Sequence, residues 1–437
     1  MDTKLELATY PVKNARFGQK TAYKDGILEI DKDELVSLIK EDKRVASADI
    51  DMALPGEKTR IVFIRDVVEP RVKVSGPGCV FPGVLGPVES VGTGRTNRLS
   101  GITVMPSAQY KPTILSGNNA ANAGTVDMWG PGAAVTPFSS TINIVPVMKL
   151  IDGISELDAH TAIMMAELKL ANRLAETTRN LKPENIESFA LFKVDDSLPK
   201  VIYVLSFMTL AYNPHSFVAY YGYCLHDVMP FLIRPQELFD GVITTDTRQG
   251  HGRKSTTWHW MNQAVVYRLF REHGKRLNFL GVIMQRTRFE SELGKHVSAS
   301  CASEMAKMLG ADGVIITRTT GSGANFEDVI MTLQACEKKG IKTVLLNPEW
   351  GSADGSEPPL LVYVPEATAM VSTGSHEAEL KLPAPSRVIG AEEGQMVIAE
   401  PGDKPFSPWS EITWNSYYPV TGAPDWFGTM SLAAEEY

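Results

Sequence analysis

The chain has 437 residues, 43% hydrophobic and 22% charged, a composition that excludes a chain disordered throughout. Its formal net charge is −8, which argues against nucleic-acid or membrane-surface binding, because polyanions are held by clustered positive charge. No apolar run approaches the roughly 18 residues of a membrane span, and the N-terminal MDTKLELATYPVKN has no apolar core of the kind a signal peptide needs.

At roughly 100–200 residues per domain, the length predicts two to four domains. GILEI (26–30) reads as a strand and DKDELVSLIKED (31–42) as a short helix with an Asp cap. TRIVFIRDVVEPRVKV (59–74) reads as strand material. The Gly-rich 75–99 stretch follows, where turns and close backbone approach are expected. INIVPVMKL (142–150) reads as a buried strand, and 154–180 as the longest helix, with Leu157, Ile163, Met164, Leu168 and Leu174 along one face. Lys182-Pro183 breaks it. From Lys200 onward strands and helices alternate. Strands are predicted over 200–210, 230–233, 241–245, 278–285, 312–319 and 341–347. Helices are predicted over 262–274, 298–310 and 325–340. Short apolar strands joined by helices imply a mostly parallel sheet. The expected fold class is α/β, an N-terminal β-rich domain followed by a mostly parallel αβα domain. The expected divisions are a β-rich, Gly-loop domain over 1–150, a long helix and linker over 151–199, a Rossmann- or flavodoxin-like α/β domain over 200–383, and a C-terminal tail over 384–437.

Two segments concentrate chemistry. TRTTGSGANFEDVI (317–330) is a strand end, a Gly loop and a helix start. It reads as a tight turn or as an anion loop whose backbone N–H groups, around Thr320, Gly321, Ser322 and Gly323, point at a ligand. It lacks the third glycine of a dinucleotide fingerprint and the Gly-Lys-Ser/Thr of a P-loop, so a nucleotide site here is the weakest reading. ITTDTRQGHGRKSTTWHWMN (243–262) gathers Arg248, Arg253, Lys254, His251 and His259 with Trp258 and Trp260. The cations suit an anion and the indoles suit a cation. The alternative is a solvated loop whose tryptophans are core anchors. Cys79, Cys224, Cys301 and Cys336 form no CxxC pair and the histidines no HExxH spacing, so no metal is expected. Cys301 and Cys336 read as packing residues. Four thiols in a chain this long fit the reducing cytoplasm.

The run DVVEPRVKVSGPGCVFPGVLGPVESVGTGRTNRLSGITV (66–104) resembles the proprotein subunit of glycine/sarcosine/betaine reductase component B, whose relatives include the D-proline reductase proprotein. The resemblance continues in order through VDMWGPGAAVTPFS (126–139), LPKVIYV (198–204), LFDGVI (238–243), HGKRLNFLGVI (273–283), LGADGVIIT (309–317) and EKKGIKTVLL (337–346). It implies a cytoplasmic hetero-oligomeric oxidoreductase that cleaves the α C–N bond of a small amino-acid or betaine-like substrate. It also implies a selenoprotein- or cysteine-containing partner subunit. In the family, self-cleavage before a cysteine leaves a pyruvoyl group, but here Thr247-Arg248 stand where the family has Asn-Cys. Arginine has no nucleophilic atom for an acyl shift. The resemblance therefore carries the expectation of no self-cleavage and no pyruvoyl cofactor, unless Thr245 or Thr247 acts in a shifted register. Thr320 similarly matches the partner's reactive selenocysteine position, and a threonine hydroxyl is no substitute for a thiolate. Substrate contacts are expected from Arg95, Arg248, Arg253, His251, Trp258, His259 and Trp260. The 244–259, 318–325 and 92–97 segments are expected to share the sheet edge on which the partner docks. The alternative is a non-catalytic scaffold or regulatory subunit.

Overall fold

The apolar run KVIYVLSFM forms Lys200–Met208, the third strand of a six-stranded sheet. A computed structural model describes residues 4–109, 124–209, 218–245, 254–319, 323–352, 360–397 and 404–430 of this mixed α/β chain. The sheet order is Phe231–Ile233, Asn278–Thr287, Lys200–Met208, Gly313–Thr317, Lys342–Ser352 and Met370–Glu377. Every pairing is parallel except that of the short edge strand Phe231–Ile233. Side chains alternate across the pleat. Ile202 and Val204 pack with Ala302, Phe326 and Leu333 of the helices Glu292–Met308 and Gly323–Glu337. Tyr203, Leu205 and Phe207 pack on the other face with Val266 and Leu269 of the helix Ala264–Glu272. Both faces are covered, which is why these strands read as nearly continuous apolar runs.

Among the described residues the N-terminal strands form two larger sheets and a small one of Asn14–Gly18, Ile27–Asp31 and Ala22–Lys24. Thr59–Ile64 is buried at every residue and pairs with Gly124–Asp127 and Ser107–Gln109. Ile142–Leu150 pairs antiparallel with Val45–Ala53 in the same sheet. The second sheet has the order Asn185–Ala190, Lys4–Pro11, Gly94–Ser100, Arg71–Ser75. The long helix runs over Glu156–Glu176, with Ser155 accepting the Asp158 N–H as its cap. Its face is Ala162, Ile163, Ala166, Leu170 and Leu174, whereas Leu157 is exposed.

Several local expectations are corrected. The 59–74 run is two strands, because the chain turns at 65–70 before Arg71–Ser75. The linker after the long helix contains the strand Asn185–Ala190. Ile243–Thr245 is not in the parallel sheet; it pairs antiparallel with Val218–Tyr220. The tail sends Arg387–Ile389 to pair with Thr59–Ile61. It also sends Ile412–Trp414 to pair with Leu380–Leu382.

Buried charges hold these parts together. Arg60 is fully buried, donates to both carboxylate oxygens of Asp127 at 2.7 and 2.8 Å, and donates to the carbonyls of Pro383, Pro408 and Ser410. One guanidinium thus pins the returning tail. Asp240 accepts from Lys73, the Gly92 N–H and Thr96. Arg71 donates to Glu69, the Phe239 carbonyl and Asn262. In the Gly-rich stretch, Gly83 (φ +79°) crosses Tyr221 so closely that a Cβ would lie 2.0 Å from the Tyr221 carbonyl oxygen. Only glycine fits there.

Candidate functional site

The first cluster is built where the fully buried strand Thr59–Ile64 ends. Asp66 is 2% exposed. Its carboxylate accepts from the Val67 N–H at 2.8 Å, the Thr257 N–H at 2.9 Å and the Thr257 hydroxyl at 2.5 Å. The Thr257 hydroxyl in turn accepts the Thr245 N–H at 2.9 Å. The Thr245 hydroxyl donates to the Ser255 carbonyl at 3.1 Å, and the Trp258 N–H donates to the Val67 carbonyl at 2.7 Å. The residues on either side of 246–253 are therefore tied to one buried carboxylate.

Glu167 is fully buried on the long helix, and neither carboxyl oxygen has a hydrogen-bond partner. Burial and the neighbouring Asp66 charge push its pKa well above the usual carboxylate range, against the pull of Lys254. Burial raises Asp66 to about 6, with Lys254 and Thr257 opposing it. Two acids beside one lysine in a dry interior titrate as a coupled set, each carboxyl opposing the other's charge.

His259 is part of a capping box with Thr256, whose N–H donates to Nδ1 at 3.2 Å. The proton of the neutral ring therefore sits on Nε2, which has no partner. Burial lowers its pKa to about 3.

The second cluster lies at the carboxyl end of the Gly313–Thr317 strand. Arg318 is 1% exposed, donates from Nε to Asn347 Oδ1 at 2.5 Å, and lies 4.7 Å from the Phe326 ring centroid and 5.9 Å from that of Trp426. Burial lowers its pKa to about 9, so it is charged at neutral pH. The C-terminal segment joins the two clusters: Trp426 faces Arg318, and Phe427 packs 5.8 Å from Trp260. Asp425 fixes this turn by accepting the Thr429 and Met430 N–H groups.

The sequence candidates are distributed unevenly. Thr247, Arg248, His251, Arg253, Thr320, Gly321 and Ser322 lie outside the described residues. Gly323 begins its helix. Trp260 is a core residue, 1% exposed, with no face open to a substrate cation. Trp258 packs edge-on against Phe138 and His259 at 5.5 and 5.3 Å. Both behave as anchors because the helix Thr257–Met261 is wedged between apolar clusters. Arg95 is held by Glu6 at 2.7 Å, its register partner across two strands, so its guanidinium is committed to a structural ion pair. The sheet edge expected to receive a partner is occupied in part by the chain's own Trp426–Phe427. Burial and the charges of Asp240 and Glu89 raise the Cys79 thiol, which is the opposite of nucleophile activation.

Asp66, Glu167, Arg318, Asn325 and His376 escaped the sequence reading. Glu167 carried a signal: a carboxylate four residues after Ile163 and three before Leu170, on the apolar stripe of a helix. Among the described residues no group of three or more His, Cys, Asp or Glu is placed to hold a metal ion. No helix among them is long and apolar enough to cross a membrane.

The sequence model of one family, glycine/sarcosine/betaine reductase component B subunits, matches residues 3–404. The glycine reductase complex component B subunits alpha and beta of Acetoanaerobium sticklandii are 35% identical over 393 residues, 89% of each chain. The sarcosine reductase complex component B subunit alpha of Peptoclostridium acidaminophilum is 33% identical over 395 residues, again 89% of each. The betaine reductase complex component B subunit alpha of the same organism is 32% identical over 404 residues, 89% of this chain and 88% of that one. No solved structure matches. With a match across nearly its whole length and relatives above 30% identity, the chain belongs to the family of glycine/sarcosine/betaine reductase component B subunits.

Proposed function

We propose that this chain serves in a component B-type reductase complex, where it helps form the pocket for reductive C–N cleavage of a glycine- or betaine-like substrate. The thiolate or selenolate comes from a partner subunit. The carrying observation is that the residues flanking 246–253 are anchored on Asp66, through Thr257, Thr245 and Ser255. Those flanks bound the segment in which the family's chemistry is expected.

The same segment has Thr247-Arg248 at the expected cleavage position. With no thiol or hydroxyl on Arg248, no acyl shift starts there. The residues at this position do not fit the formation of a pyruvoyl group. A neutral amine is a poor leaving group without such activation, whereas a quaternary ammonium is already cationic. This favours a betaine-like substrate over glycine.

Intact mass and turnover test this reading. The expected result is one species near 47.9 kDa, unlabelled by borohydride, that turns over betaine with its partner component. Two fragments meeting at Thr247-Arg248, or glycine turnover without betaine turnover, overturn it.

A scaffold reading is favoured by one observation, the packing of Trp260 into the core. It predicts that the chain supports complex assembly without binding substrate.

A further inference from the structure

The helix Glu292–Met308 carries its apolar side chains the wrong way round. Its inner face is Ala299, Ala302 and Ala306, of which Ala302 and Ala306 pack among Ile202, Val204, Phe326 and Leu333. Its outer face holds the larger side chains: Leu293 is 73% exposed, Val297 47% and Met308 84%. Phe289 just before the helix and Leu309 just after it are exposed as well. On a helix that meets only water, that face is polar. The helix Ala264–Glu272, on the other face of the same sheet, has the ordinary arrangement, with Val265, Val266 and Leu269 inward and Arg268 and Arg271 outward. A run of exposed apolar side chains marks a surface that something covers.

The pattern of this face specifies what covers it. Leu293, Val297, Cys301, Glu304 and Met308 follow one another at three- and four-residue spacing, so they share one side of the helix. Cys301, partly exposed, lies near the middle, with Leu293 and Met308 toward the two ends. The row therefore reads much the same in either direction, and a reversed copy lays Leu293 against the partner's Met308. The charges agree. Glu292 precedes Leu293 and Lys307 precedes Met308, and both are exposed. Within the chain Glu292 reaches His296 at 3.5 Å, and Lys307 donates to the Lys339 carbonyl. Reversal brings acid toward base at both ends, whereas a parallel copy sets like charge beside like. Opposed helix dipoles favour the same direction. Glu304, the acid in the row, is neutralised by Lys339 at 3.1 Å.

We propose that two copies of this chain dock through the outer face of Glu292–Met308, with the two helices antiparallel and Cys301 near the two-fold axis. A two-fold pair uses one patch twice, which a self-complementary face provides. The surface is built by this helix and does not depend on the reductase reading.

Light scattering on the full chain, with bismaleimide cross-linking, tests it. The expected species is a dimer of the 47.9 kDa chain. A short bismaleimide is expected to join two chains, and Cys301→Ser to abolish the link. Leu293→Glu and Met308→Lys are each expected to weaken the dimer about a hundredfold, because each removes two apolar side chains from the contact. Both positions face solvent in the single chain, so the far-ultraviolet circular dichroism of each variant is expected to match the parent. Glu292→Lys and Lys307→Glu are each expected to weaken the dimer about tenfold, and the double variant to restore it. That restoration separates a second copy from any other partner. A monomeric full chain overturns the proposal. So does a dimer untouched by Leu293→Glu, a cross-link that survives Cys301→Ser, or a double charge variant no tighter than either single one. Loss of a reductase component's binding in Leu293→Glu, with no dimer to lose, assigns the face to that component and likewise overturns it.

Discussion

Arg60 and Arg318 are both buried arginines, and their surroundings differ in kind. Around Arg60 the ionic chemistry is closed: a bidentate carboxylate and three carbonyls take up the guanidinium. Around Arg318 the described neighbours include the Phe326 and Trp426 rings and the Asn347 side-chain oxygen. A satisfied buried network fixes one arrangement of the chain, whereas an unsatisfied one costs stability and persists where something else completes it. The first region reads as structure, whereas Asn325 and His376 each keep a buried polar atom without a hydrogen-bond partner.

The largest effect expected from this contrast is at Asp127. Asp127→Ala strands Arg60 without its carboxylate and should cost about 3–5 kcal/mol in urea denaturation. Asn325→Leu should cost little or stabilise the chain. Equal losses in the two variants erase the distinction between the regions.

The pH dependence of stability is the next test. His259 and His376 are each held near 3, below an ordinary value of 6.5. The unfolded chain therefore binds protons that the folded chain refuses. Their contribution is complete above about 6.5 and is lost as pH falls toward 3, at about 1.4 kcal/mol per pH unit for each ring. His376→Phe should remove one proton's worth of that slope; an unchanged slope means that the ring is not neutral in the fold.

Glu167 runs the other way. Its folded pKa lies above the ordinary 4.5, so its effect is absent below that value and destabilises the chain as pH rises through it. Glu167→Gln should be close to neutral at pH 4 and progressively stabilising relative to the parent toward pH 8. A constant difference across that range means that Glu167 is not held protonated.

The smallest effect is expected at Arg95. Its ion pair with Glu6 is partly exposed, so Arg95→Ala should cost under about 1 kcal/mol and leave substrate affinity unchanged. A loss of substrate affinity would return Arg95 to the site.

Much of the α/β region was legible because its strands are short apolar runs that end at turn signals. Lys200–Met208, Asn278–Thr287 and Gly313–Thr317 lie close to where periodicity places them. The helix Lys32–Lys40 begins at Asp31 because an Asp cap is a local signal, and its side chain accepts the Glu34 N–H. Lys4–Pro11, in contrast, alternates weakly and earns its place only by pairing with Asn185–Ala190 and Gly94–Ser100.

By itself, the order of residues determined the helix caps, the central parallel strands, the family resemblance and the arginine at the position expected for cleavage. These are local or collinear properties of the chain. Only the tertiary structure decided which charges are buried and what they are paired with. Asp66 meets Thr257 across 191 positions, and Arg60 meets the Pro408 carbonyl across 348. Trp260 changes from candidate ligand cage to core anchor because Phe427, far along the chain, packs on its ring. Burial and pairing belong to such long-range contacts, and they set both the pKa of Glu167 and the unpartnered atoms of Asn325 and His376.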